Sequence, residues 1–187
     1  MPVFLTAEEY TILTSVCSRL IPSEDGRPGA IEAGVADYID ILLGAFAFDP
    51  PRIWGAGPYS GRHGGEAGFD EFLPLSPFEE LAWRTRIEGS LGLTEREPNG
   101  PVVGLQQRYR EGLAALGSGF PELPPSEQDS ALHAHSEFAT LVFEHACEGM
   151  YGAPEYGGNR DLVGWRSIDF AGDVQPRGYS DAEVSEP

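Results

Sequence analysis

The sequence predicts a mainly α fold, an irregular helical bundle of about five helices with long ordered loops and an extended C-terminal arm. Apolar residues recur at helical intervals, and residues that start and stop helices bracket those runs. No stretch of any length alternates as a strand would. At 187 residues the chain is one domain by length, large enough to bury about two thirds of its unfolded surface. Residues 1–151 are read as the helical domain, with a long loop over 48–75. Residues 152–187 are read as an arm that packs on the domain or on a partner subunit.

Thr6 followed by Glu9 has the spacing of a capping box, and Tyr10, Leu13, Val16, Cys17 and Leu20 form one apolar stripe up to Pro22. After a polar turn from Ser23 to Gly29, a second helix is expected from about Ala30 to Phe46, carried by Ile31, Val35, Tyr38, Ile39, Leu42, Leu43 and Phe46. Gly34 inside it costs about 1 kcal/mol relative to Ala, which marks a place for a break or a close helix contact.

From Phe48 to Leu75 the periodicity is lost and Gly and Pro accumulate, while Trp54, Tyr59, Phe69 and Phe72 persist. Flexible linkers are poor in such aromatics, so this is read as an ordered loop laid over another surface, of this domain or of a second chain.

Ser76-Pro77-Phe78-Glu79 is a helix start, and Leu81, Trp83, Ile87 and Leu91 carry the third helix to Gly92. Val102, Val103, Leu105, Tyr109, Leu113 and Leu116 mark a fourth, ending at Gly117-Ser118-Gly119. Pro124-Pro125-Ser126-Glu127 opens the last helical region, read as one helix or as two meeting near Ser136, with Leu132, Phe138, Leu141, Val142, Phe143, Ala146, Cys147 and Met150 as its apolar content. Beyond Tyr151 no helical period is found, yet Tyr156, Trp165, Ile168, Phe170 and Tyr179 require that the segment dock on something.

Charge narrows the function classes. Acidic residues number 30 against 12 basic ones, all Arg, for a net charge of -18, which repels phosphate backbones and anionic membrane surfaces. No apolar run approaches a membrane span, and the helical pattern begins within a few residues of Met1, so neither membrane insertion nor a signal peptide is expected. Cys17 and Cys147 each fall in a helical pattern and read as buried free thiols.

The richest set of titratable side chains is His133, His135, Glu137, Glu144, His145 and Glu148. A carboxylate-bridged di-iron site would need two Glu-x-x-His units, whereas here Glu144 and His145 are adjacent and His145-x-x-Glu148 is reversed. A polar helix face with hydrogen-bonded His is the competing reading. Asp37 and Asp40 read as a solvated acidic face. Dinucleotide, P-loop and nucleophile-elbow motifs are all missing, as is the Cys-x-x-Cys-His of haem attachment.

The stretch Glu155 to Trp165 concentrates a tight turn, one guanidinium and two large aromatics. Gly157, Gly158 and Asn159 suit the turn, and Arg160 leaves it with a planar fork of donors suited to a carboxylate or to backbone carbonyls. Tyr156, Arg160 and Trp165 are residue types that dominate binding hot spots, and Pro176-Arg177-Gly178-Tyr179 repeats the theme. A loop folded back on its own domain and a partner-facing arm both fit.

The runs Phe4 to Glu9, Leu20-Ile21-Pro22, Gly29 to Val35 and Tyr38-Ile39-Asp40, with Tyr156 to Asp161 and Gly164-Trp165 downstream, resemble the gluconate 2-dehydrogenase subunit 3 family. The resemblance implies a small helical accessory chain that binds no cofactor of its own. It would bind, stabilise or mature a large FAD-dependent flavoprotein of the glucose-methanol-choline type that oxidises a sugar, polyol or glycoside. Some such complexes add a haem c subunit, and exported ones take a twin-arginine leader from the small subunit. Met1 lies just ahead of the Phe4 to Glu9 run, with no twin-arginine segment before that run, so the expected location is cytoplasmic, with a periplasmic one by co-export or after leader removal as the alternative.

The candidate partner-binding residues are therefore Tyr156, Gly157, Gly158, Asn159, Arg160, Asp161, Trp165, Arg177 and Tyr179. No residue is assigned to catalysis, to a cofactor or to a metal. Two rivals remain: a free-standing metal-dependent enzyme using the His and Glu residues of 133–148, and a self-contained scaffold whose arm packs on its own helices.

Overall fold

Helix α1 (Ala7–Leu20) is built as its first residues demand. The Thr6 hydroxyl accepts from the Glu9 amide, and the Glu9 carboxylate accepts from the Thr6 amide at 2.8 Å. Its apolar stripe places Ile12, Leu13, Val16 and Cys17 in the core. A computed structural model describes residues 1–56 and 72–170.

The second expected helix divides at Gly34, which takes the left-handed conformation (φ 69°, ψ 33°) between α2 (Ala30–Ala33) and α3 (Val35–Leu43). The break turns α3 so that Val35, Ile39 and Leu43 are fully buried. Helix α4 (Pro77–Glu88) starts from the Ser76–Glu79 capping box and stops at Gly89 rather than running to Gly92. Leu91 is left exposed by that early stop. Helix α5 (Leu105–Leu116) begins three residues later than the apolar pattern suggests, because Val102 and Val103 lie in the preceding loop, half exposed.

The last helical region is two helices, α6 (Pro125–Ala134) and α7 (Ser136–Tyr151), separated at His135 (φ -111°, ψ 45°). A short α8 (Val163–Ser167) follows two single turns of 3-10 helix. Among the described residues, eight α-helices thus stand where about five were expected. Two of the three extra ones come from the breaks at Gly34 and His135, and the third is too short to show a period. Among the described residues there is no strand; isolated bridges join Glu24 to Arg27 and Ala56 to Leu73.

The core runs through α1, α3, α4, α5 and α7, with Leu13, Ile39, Ile87, Tyr109, Leu113 and Val142 fully enclosed. Of the long loop, the two ends are tied together by reciprocal backbone bonds, Gly55 to Leu73 and Leu73 to Ala56, both at 2.9 Å. Ile53 and Phe72 are buried there. Tyr59 and Phe69 lie outside the described residues.

Candidate functional site

Any α-helix ends with carbonyls that have no intrahelical partner, and α7 ends at Tyr151 with the C-terminal motif only a few residues away. The motif supplies the missing donors. The Asn159 amide donates to the Gly149 carbonyl at 2.7 Å, its Nδ2 to the Gly152 carbonyl at 3.1 Å, and Trp165 Nε1 to the Tyr151 carbonyl at 2.7 Å. Asn159 Oδ1 faces the other way and accepts from the amides of Gly164 (3.0 Å) and Trp165 (3.4 Å), the open N-terminus of α8. One fully buried side chain therefore closes the end of α7 and the start of α8.

Close approach demands glycine on both sides of Asn159. A Cβ on Gly158 would stand 2.2 Å from the Gly149 carbonyl oxygen, and one on Gly164 would stand 1.8 Å from that of Met150. Asn159, Asp161 and Leu162 all have positive φ (45°, 53° and 57°), so the turn holds three non-glycine residues in the left-handed region. Such residues persist only where surrounding bonds fix them, which the Asn159 network does.

Arg160 leaves this turn toward α3. Its guanidinium pairs with the Asp37 carboxylate, which also accepts from the Tyr10 hydroxyl, so one carboxylate joins α1, α3 and the turn. The guanidinium lies against Gly34, where a Cβ would come within 2.9 Å of its terminal nitrogen. Burial, and then the hydrogen bond to Asp37, raise the Tyr10 phenol well above its ordinary value. Asp161 is exposed.

Tyr156 turns to a third neighbour. It meets Phe72 edge to face at 5.8 Å, and Phe72 meets Trp54 at 5.9 Å. With Tyr38 and Trp83, the rings of Tyr156 and Trp54 border a pocket of about 150 Å³. Through Trp165 the motif is thus packed on helices and loops of its own chain. Arg177 and Tyr179 lie outside the described residues.

A comparison with known protein families decides what this chain is related to. Residues 7–172, from the first residue of α1 to beyond α8, match the family described as Gluconate 2-dehydrogenase subunit 3. The chain belongs to the gluconate 2-dehydrogenase subunit 3 family. No curated protein and no solved structure matches it.

In this member of the subunit 3 family, the acidic and imidazole side chains of α6 and α7 point in different directions. His133, His135, Glu137 and Glu144 are exposed. His145 is buried, with Nδ1 2.8 Å from the Tyr109 hydroxyl and its ring stacked on that of Tyr109. Glu148 accepts from the Tyr38 hydroxyl at 2.8 Å, and burial followed by that carboxylate raises the Tyr38 phenol. Among the described residues no three His, Cys, Asp or Glu side chains are grouped to hold a metal ion. No helix of the described residues is long and apolar enough to cross a membrane.

Both cysteines are free; Cys17 is buried, and burial pushes its thiol up to about 12.

Asp40 corrects the expectation of a solvated acidic face. It is 2% exposed, and its carboxylate accepts from the amides of Val3, Phe4 (3.1 Å) and Leu5 (2.8 Å). Its position gave the signal, since it shares a helical face with Ala36 and Leu43, which are apolar and buried. A carboxylate on that face must be satisfied by hydrogen bonds, and the chain entering α1 provides them.

Proposed function

We propose that this chain is a non-catalytic small subunit that binds and stabilises, or matures, a large FAD-dependent oxidoreductase of the glucose-methanol-choline type acting on a sugar, polyol or glycoside. Membership of a family named for a dehydrogenase subunit supports the reading. The observation that carries it is the commitment of the Asn159 side chain to two helix ends of its own chain. Polar groups used in this way build a surface rather than perform chemistry on a substrate. On this reading FAD belongs to the companion subunit, and a haem c subunit receives electrons from it in complexes that contain one.

The motif then contributes to partner binding in two ways. Gly157, Gly158, Asn159 and Trp165 shape the turn from within. Tyr156, Arg160 and Asp161 form its accessible edge, and Arg177 and Tyr179 are the candidates that follow it. The docking of the motif on its own helices also suits a self-contained scaffold, which is the second reading.

A tagged pull-down from the native host, with a flavin absorbance spectrum and peptide mass spectrometry, tests the proposal. A stoichiometric yellow partner of flavoprotein size is the expected result. A clean, colourless monomer whose C-terminal segment resists proteases would overturn it in favour of the scaffold.

A further inference from the structure

The groove between α4, the loop before α5, α5 itself and α7 has a charge opposite to that of the chain as a whole. It encloses about 420 Å³, with Arg86 and Arg108 against the single carboxylate of Glu144. Arg19, Arg84, Arg96 and Arg160 pair with carboxylates, whereas neither Arg86 nor Arg108 has an acidic side chain at ion-pair distance among the described residues. Both are exposed, and the Arg86 guanidinium stands over the Trp83 ring at 5.0 Å, a cation–π contact that leaves its charge without a carboxylate partner among the described residues. In a chain of net charge -18, two cations without acidic partners on one groove are a local reversal of sign.

The same groove exposes apolar surface. Val102 and Val103, both in its lining, are 41% and 55% exposed, and Leu91 is 71% exposed. Leu91 belongs to the same loop, which is closed by the bond from the Ser90 amide to the Val102 carbonyl. The floor is firm, with Leu105 and His145 buried. Exposed aliphatic side chains beside cations on a rigid floor suit a protein segment that brings an apolar side chain and a carboxylate together.

We propose that this groove docks a segment of the companion dehydrogenase subunit, one that sets an acidic residue between Arg86 and Arg108 and packs an aliphatic or aromatic side chain on Val102 and Val103. The inference rests on the accessory-subunit reading and gives it a location. A standard interface buries about 800 Å² on each partner, so the groove anchors a larger contact that includes other surfaces.

The test uses the full chain and the flavoprotein subunit recovered with it. Affinity is measured by titration for the wild type, R86E/R108E, V103D and the charge-matched control R27E/R166E, with circular dichroism to establish that each is folded. R86E/R108E is expected to bind at least about tenfold more weakly and to lose most of the salt dependence, V103D to weaken binding, and the control to retain it. If no flavoprotein accompanies the wild type, both the subunit reading and this inference fall. If the wild type binds and R86E/R108E binds equally well, or the control loses as much affinity, only the groove is overturned. Hydrogen-exchange protection of residues 102–108 in the free chain that disappears on removing residues 171–187 would make the chain's own tail the occupant and overturn it as well.

Discussion

The indole N–H of Trp165 donates to the carbonyl of Tyr151 at 2.7 Å, so the last aromatic of the C-terminal motif completes the helix that the motif follows. Asn159 does the same for Gly149 and Gly152 and then reaches forward to α8. The motif holds the end of α7 against α2 and α3 through Arg160 and Asp37, and this linkage makes separate roles for its residues measurable.

Asn159→Ala should cost about 3 kcal/mol, because it strands the buried Gly164 and Trp165 amides as well as the Gly152 carbonyl. Arg160→Ala should cost less than about 1 kcal/mol, since its ion pair with Asp37 is 54% and 38% exposed on the two sides. Urea unfolding followed by circular dichroism compares them. Equal losses would mean that the turn is held mainly from its surface, contrary to the geometry. The same pair separates folding from binding: Arg160→Ala, folded but altered at the accessible edge, is the variant to test for loss of the companion subunit.

Gly164→Ala places a methyl 1.8 Å from the Met150 carbonyl oxygen, which neither α7 nor α8 can vacate without breaking the Asn159 bonds. A loss of several kcal/mol is expected. Gly119→Ala is the control. Its φ of -79° is open to any residue, no atom lies within 4 Å of the added carbon, and stability should be unchanged or slightly higher. Thermal melts of the two variants should therefore move apart, and coincident melting temperatures would show that α8 is not packed as described.

The helix starts at Thr6 and Ser76 were legible because a capping box is local, with donor and acceptor three residues apart. Gly34 was legible as a weak point for the same reason, and the structure turns that weakness into a break. The role of the C-terminal motif was not legible. Its donors meet carbonyls seven to fourteen residues upstream, through bonds that any carbonyl accepts and that leave no mark on the accepting residues. Helix α8 has five residues, too few for a period, and is specified by Asn159 instead. Asp40 shows a partly legible case. Its place on an apolar face was visible, but the identity of its donors, the amides of Val3, Phe4 and Leu5, depended on how the chain enters α1.

Asp40→Ala should release the first residues from α3. It removes the only side chain whose oxygens bond the Val3, Phe4 and Leu5 amides among the described residues. Water replaces part of that bonding once the segment lifts away, so a loss of about 2–4 kcal/mol is expected rather than the full cost of three stranded donors. Limited proteolysis gives the sharper reading, with cleavage near residues 3–6 in the variant and protection in the wild type. A protected N-terminus in Asp40→Ala would show that Leu5 and its neighbours are held by packing alone.

His145 makes a pH dependence that can be assigned to one side chain. Burial lowers its pKa below the ordinary 6.5, outweighing the carboxylates of Glu148 and Glu144, while Arg86 and Arg108 add to the lowering. The unfolded chain therefore binds a proton on this group at a higher pH than the folded chain does, and stability rises with pH wherever that difference persists. The stabilisation is fully present above the unfolded pKa. It is lost as pH falls through about 6.5 toward the lower folded value, below which the loss stops growing. His145→Gln keeps a hydrogen-bonding side chain beside the Tyr109 hydroxyl and removes the titration. Melting temperatures between pH 7.5 and about 5 should thus fall more for the wild type than for His145→Gln, with the general effect of carboxylate protonation common to both. Parallel profiles would mean that the imidazole is protonated in place, with its bond to Tyr109 rearranged rather than opposed by burial.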